Sequence, residues 1–131
     1  MKLYIAYKYS HNKNKEKLKT DLEILDQLVK SWGNDTFILG RDIKKWQHMK
    51  LGYIRQMPVI YNNMSKCDVV LIYTYSPEIS LGLFFELMAS KILGKKTILL
   101  HQGYSASVIK KLTNKSFEIN TIKDINENMI K

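Results

Sequence analysis

The chain is poor in the residues that would announce several common functions. It has one cysteine, Cys67, in 131 residues, so no intramolecular disulfide can form, and the composition fits a reducing cytoplasm. Cys67 precedes an apolar run, which predicts a buried, inert thiol. No apolar stretch approaches the roughly 18 to 20 residues needed to cross a bilayer, so no membrane partner is expected. The start, "MKLYIAYKYSHNK", turns polar too early for a signal peptide and reads as a first strand. His11, His48 and His101 are scattered without metal-ligand spacing, so no metal is expected. A Walker-type loop and a Gly-x-Gly-x-x-Gly fingerprint are both missing, so no cofactor is expected and phosphoryl transfer lacks support.

Arginine is scarce as well. The formal net charge is +9, yet only Arg41 and Arg55 of the 21 basic residues are arginine. Arginine is the residue suited to bidentate contacts with phosphate and guanine. The lysines are spread among Asn and Ile, and the densest run, "KYSHNKNKEKLK", enters a helix as a solvated face. This pattern argues against a nucleic-acid partner and stays compatible with attraction of a small anionic substrate.

What the chain does contain is an alternation of strands and helices, with no repeat, linker or low-complexity segment. "LYIAYKY" (3–9), "TFIL" (36–39), "DVVLIYTY" (68–75), "TILLH" (97–101) and "FEIN" (117–120) read as strands. Leu18, Leu22, Leu25, Leu28, Val29 and Trp32 recur at helical spacing from Lys15, and "GN" at 33–34 ends that helix. Further helices are predicted over 51–66, from Ser80 to Gly94, over 105–112 and from about Ile122. "GRDIKKWQHMKLG" reads as a long loop or broken helix, and Trp46 within it as a core, lid or interface residue. Strands apolar on both faces predict a parallel sheet covered on both sides, in one doubly wound α/β domain over residues 1–131.

That architecture places ligands beyond the C-terminal ends of the strands, where strand order reverses. For the order 2-1-3-4-5 the crevice lies between the first and third strands. Tyr7, Lys8, Tyr9 and Ser10 follow the first strand, Tyr75, Ser76 and Ser80 the third, and Arg41 and Asp42 the second. Ser80 is a good N-cap for the next helix, whose free N–H groups would face an anion. Glu86 sits inside that apolar helix on a stripe with Gly82, Ala89 and Leu93, while Phe84, Phe85 and Met88 are expected to fill the core. Two readings stand open from the pattern. The stripe faces solvent, or it faces a site in which the small residues leave room beside a carboxylate.

The stretch "CDVVLIYTYSPEISLGLFFELMASKILGKKTILL" resembles the nucleoside 2-deoxyribosyltransferase superfamily, including its 2'-deoxynucleoside 5'-monophosphate N-glycosidases. Asp68, Ser80, Gly82, Glu86, Ala89, Gly94 and Lys95 carry the motif, over about a quarter of the chain. The resemblance implies that Glu86 is a nucleophile cleaving or transferring an N-glycosidic bond of a nucleoside or nucleotide. It further implies that Ser80 and Gly82 contact the sugar or its 5'-phosphate, and that the protein is a homo-oligomer, a dimer or higher. Related N-glycosidases carry an Asp eight residues before the strand-opening Asp; here that position is Ile60. Asp42, Tyr7 or Tyr9 would then supply the acid or positioning group.

"YIAYKYSHN" is also similar to the opening of TIR domains, whose catalytic glutamate stands six residues after a serine, as Glu86 stands after Ser80. That alternative implies hydrolysis or cyclisation of NAD in anti-phage signalling. The TIR tryptophan of this motif is replaced by Gly82. A third alternative is a non-catalytic nucleotide-binding module.

Overall fold

The computed structural model describes residues 1–7, 15–38, 42, 53–74, 81–102 and 107–130. Five strands form one parallel sheet: β1 (Lys2–Tyr7), β2 (Asp35–Ile38), β3 (Val69–Thr74), β4 (Lys96–Gln102) and β5 (Lys115–Ile119), in the order β2-β1-β3-β4-β5. The helices are α1 (Lys15–Ser31), α2 (Tyr53–Ser65), α3 (Leu81–Ile92), α4 (Ser107–Leu112) and α5 (Glu127–Ile130), with a 3-10 turn over Ile122–Asp124. The doubly wound α/β architecture expected from the alternation is thus present, and strand order reverses between β1 and β3.

Strand alternation sorts the core into two layers. Leu3, Ile5 and Tyr7 of β1 pack with Leu71 and Tyr73 of β3 beneath α1, whose Leu18, Leu22, Leu25 and Val29 are fully buried. Each such side chain removed from water contributes roughly 1.5 to 3 kcal/mol before entropy is counted. Tyr4 and Ala6 point the other way, with Val70, Ile72 and Leu99, beneath Ile60 and Met64 of α2 and Leu83, Leu87 and Ala89 of α3. Cys67 belongs to this second layer, buried as expected, and burial pushes its thiol up.

Both predicted helix stops are glycines in the left-handed region, Gly33 at φ +84° and Gly94 at φ +66°. At the first, Gly33 N donates to Lys30 O and Asn34 N to Val29 O; at the second, Gly94 N donates to Lys91 O and Lys95 N to Ser90 O. These are paired Schellman closures, and a side chain at either glycine would strain the backbone. The motif residues flanking α3 have structural work too. Asp68 accepts from Lys2 N at 2.9 Å, tying β1 to the entry of β3, and Lys95 Nζ donates to Ser65 O at 3.1 Å.

The C-terminal segment docks on its own domain. Ile122, Ile125 and Ile130 are buried in the layer beneath α1, and half-buried Trp32 packs against the same layer. Trp46 lies outside the described residues.

Candidate active site beneath the third helix

Helix α3 is apolar all round, and the structure decides which face it buries. Gly82, Leu83, Glu86, Leu87, Ala89 and Ser90 turn inward. Phe84 is 38% exposed, and Phe85 and Met88 are only half-buried, in contrast to the expectation that these three fill the core. Aliphatic Leu83 and Leu87 occupy the space against the sheet instead, and the Phe84 and Phe85 rings meet edge to face on the outer side, centroids 6.3 Å apart. The solvent-facing alternative for the Glu86 stripe is therefore excluded: Glu86 is 3% exposed.

A buried carboxylate must be neutralised, paired or hydrogen-bonded. Burial is the larger influence on Glu86 and raises its carboxyl from 4.5 to about 8; a hydrogen-bonding approach from the Tyr4 hydroxyl pulls weakly the other way. Tyr4 responds in kind. Its own burial and then the neighbouring Glu86 charge hold its phenol well above the usual range. No described residue gives the Tyr4 hydroxyl an aligned hydrogen bond, so the pair is in close approach rather than locked. At neutral pH Glu86 is mainly protonated and only a minor fraction is the anion. When it ionises, the poorly solvated carboxylate is a stronger base and nucleophile than a surface carboxylate, with one phenol donor beside it.

Tyr4 is the residue that reading the sequence missed. Its signal was present: a tyrosine at an interior position of the first strand, on the opposite parity to Tyr7. Tyr4 shares its layer with Phe37, ring centroids 5.4 Å apart, and thus reaches Glu86 across the sheet–helix interface. Thr74, the last residue of β3, continues the Val70–Ile72 parity on this face. Its buried hydroxyl has no hydrogen-bond partner among the described residues.

The other expected site residues are distributed differently. Gly82 is buried one turn before Glu86, so the two do share a stripe. Tyr7 is buried in the α1 layer, on the sheet face opposite Tyr4. Asp42 is placed at the C-terminal end of β2, where its carboxylate accepts from Ile38 N at 2.9 Å. Ile60 packs as an ordinary core residue at 1% exposure, in the same layer as Tyr4. Ser10 and Ser80, with Lys8, Tyr9, Arg41, Tyr75 and Ser76, lie outside the described residues. No metal-binding cluster occurs among the described residues.

Fold and site together define a doubly wound α/β protein with a buried carboxyl on the helix after β3, next to the strand-order reversal. Among solved structures this chain is similar to the CMP N-glycosidase BcmB of Clostridium botulinum, with TM-score 0.66 and 20% identity over 94% of this chain and 92% of that one. It is likewise similar to the 2-deoxyribosyltransferase of Bacillus psychrosaccharolyticus, with TM-score 0.67 and 20% identity over 97% and 91%. A conserved protein from Enterococcus faecalis shares the fold at TM-score 0.64 and 12% identity over 94% and 97%. No family model matches the sequence, and no curated protein sequence does. The resemblance carried by the α3 motif therefore holds at the level of fold.

Proposed function

We propose that the protein cleaves or transfers the N-glycosidic bond of a nucleoside or nucleotide, with Glu86 as nucleophile. The observation that carries this reading is the buried Glu86 carboxyl meeting the Tyr4 phenol at the α3–β1 interface, in a fold shared with an N-glycosidase and a deoxyribosyltransferase. In the proposed reaction one Glu86 carboxylate oxygen bonds to the anomeric carbon as the bond from that carbon to the base nitrogen breaks. The bonding electrons leave with the base, which takes up a proton from solvent; the water or second base that later displaces Glu86 gives one back to solvent. Water, or a second base, then displaces Glu86 from the ester and restores the carboxylate. Tyr4 positions the carboxylate and shares its charge while it is ionised. Gly82, buried one turn before Glu86, supports this reading because it adds no side chain beside the carboxyl. Tyr7, Ser10, Asp42 and Ser80 are proposed to border the substrate, with the Ser80 end of α3 facing its anionic group.

Incubation with deoxynucleosides, their 5'-monophosphates and NAD, followed by mass spectrometry, tests the proposal. Free nucleobase is expected, and Glu86→Gln is expected to abolish its release while the far-UV circular dichroism is unchanged. Nicotinamide release would instead favour the TIR-like NAD reading. Absence of turnover in every mixture would leave a nucleotide-binding module. Full activity in the Glu86→Gln variant would overturn the assignment.

The homo-oligomer expected from the resemblance belongs to the same proposal. Phe84 and Ile92 of α3 and Tyr61 of its neighbour α2 expose 38%, 72% and 43% of their surface, and these side chains are proposed to take part in the subunit contact. Sedimentation of the purified protein should then give a mass above 15.4 kDa. A lone buried thiol fits the proposed cytoplasmic location.

A further inference from the structure

In sequence order the lysines are dispersed, but the fold gathers many of them at one end of the sheet. Parallel strands all begin at the same end, and α2, α3 and α4 run back to it. Lys66 follows α2, Lys91 lies in the last turn of α3, Lys96 opens β4, Lys110 and Lys111 close α4, and Lys115 opens β5. Hydrogen bonds hold these exits together. Lys95 Nζ donates to Ser65 O at 3.1 Å, joining the ends of α3 and α2. Asn114 Oδ1 accepts from Thr97 N at 2.8 Å, joining the end of α4 to the start of β4. This end lies opposite the C-terminal strand ends, where the candidate substrate crevice opens.

Carboxylates do not balance this charge. Residues 53–67, 81–97 and 107–115 contain one acidic residue, the buried Glu86. Asp68, exposed at the entry of β3, already accepts from Lys2 N. Each helix C-terminus offers roughly half a negative charge, which suits Lys91, Lys110 and Lys111 in the last turns; Lys66, Lys96 and Lys115 lie outside the helices. Lys96 shows the crowding, because loss of water contact and then the Lys115 charge hold its ammonium below the usual lysine range. The opposite face is balanced. There α1 carries Glu16, Asp21, Glu23 and Asp26 among its lysines, and Lys30 pairs with Asp26 at 3.2 Å. Asp21 ends a relay in which Gln102 Nε2 donates to the Tyr73 hydroxyl at 2.7 Å and that hydroxyl donates to Asp21 at 2.8 Å.

We propose that this basic end of the sheet docks on the phosphate backbone of a duplex nucleic acid, without reading its sequence. Lys66, Lys91, Lys110 and Lys111 are exposed there, with Asn62, Ser65, Asn114 and Ser116 beside them. Lysines set among small hydroxyl and amide side chains are the groups that contact phosphate and sugar. Residues 62–67, 91–97 and 110–116 contain neither arginine nor an aromatic residue. Bidentate contact with guanine is therefore not built in, and neither is the stacking platform that a single strand requires. The surface is separate from Glu86, so the proposal does not depend on the N-glycosidic reaction.

The test is fluorescence anisotropy of labelled DNA duplexes titrated with the full chain over a series of KCl concentrations. Kd should rise with salt, at a log–log slope of roughly 3 to 5 for about four to five neutralised phosphates. Joint Lys110→Gln and Lys111→Gln substitution should lower that slope by roughly 2, and Lys66→Gln by about 1. Lys123→Gln removes the same charge from an exposed side chain at the opposite end of the sheet, and should leave the slope unchanged. An equal loss in Lys123→Gln would show attraction by the net charge of +9 alone and overturn the docking surface. A flat salt response would overturn it too, as would saturable binding of phosphatidylglycerol vesicles with none of the duplex. Two duplexes of unrelated sequence should bind alike, and a strong preference for one would overturn backbone-only contact. The same slopes are expected in the Glu86→Gln protein, so failure of this surface and failure of the Glu86 reaction are separate results.

Discussion

Replacing Glu86 by glutamine should stabilise the protein, and should do so increasingly as pH rises. The carboxyl titrates at 4.5 in its ordinary state and near 8 when folded, and the cause is removal from water. The folded state therefore holds a proton that the unfolded chain has released, across the whole window between those values. Stability linked to this group is fully present below about pH 4.5 and is lost as pH rises toward 8. The loss runs at roughly 1.4 kcal/mol per pH unit, about 3 kcal/mol by pH 7 and approaching about 5 kcal/mol above pH 8. That is a large part of the roughly 5 to 15 kcal/mol typical of a domain. Glutamine keeps the volume and a polar end for Tyr4 but has no charge to desolvate, so the variant escapes this loss. Urea unfolding of both proteins at pH 5, 7 and 9, with equal slopes, measures the difference directly. The stability gap should widen by about 4 kcal/mol between pH 5 and pH 9. A gap that stays flat to within about 1 kcal/mol would refute the reasoning, because a solvated carboxylate gives no such slope.

Three further outcomes follow from the same geometry. If the Glu86 anion is the nucleophile, kcat/KM should rise with pH to an inflection near 8, and Tyr4→Phe should move that inflection upward, since Tyr4 lowers the Glu86 value. An unmoved inflection would separate Tyr4 from the carboxyl. Asp42→Ala should cost about 1.5 to 3 kcal/mol in chemical denaturation by stripping the Ile38 N–H of its charged acceptor, with Asp42→Asn recovering part of it. Cys67 should resist a thiol reagent in the native protein and react on unfolding, because the thiol is buried and its Sγ donates to Asn63 O at 3.3 Å.

Much of the fold was legible because its signals are local. The α1 ladder of Leu18, Leu22, Leu25 and Val29, the glycines at 33 and 94, and the all-apolar run at 69–72 each report the conformation of their own segment. Alternation of such segments also implied the parallel sheet, because parallel strands need crossovers. Orientation around α3 was less legible. Its residues are apolar on every side, so hydrophobic periodicity has no contrast to read, and the phenylalanines competed with the leucines for the inner face. Only packing against β1 and α2 placed Phe84 outside and Glu86 inside.

The sequence by itself determined the class of domain, the helix stops, the buried cysteine and the presence of a carboxyl within an apolar helix. All of these depend on neighbours a few residues apart. Tertiary structure alone decided that Glu86 is desolvated, that Tyr4 rather than Tyr7 reaches it, and that Asp21, Tyr73 and Gln102 form a relay. The physical reason is the two-residue period of a strand. Tyr4 and Tyr7 lie three positions apart and so on opposite faces, and which face meets α3 is set by the handed crossover that carries the chain over the sheet.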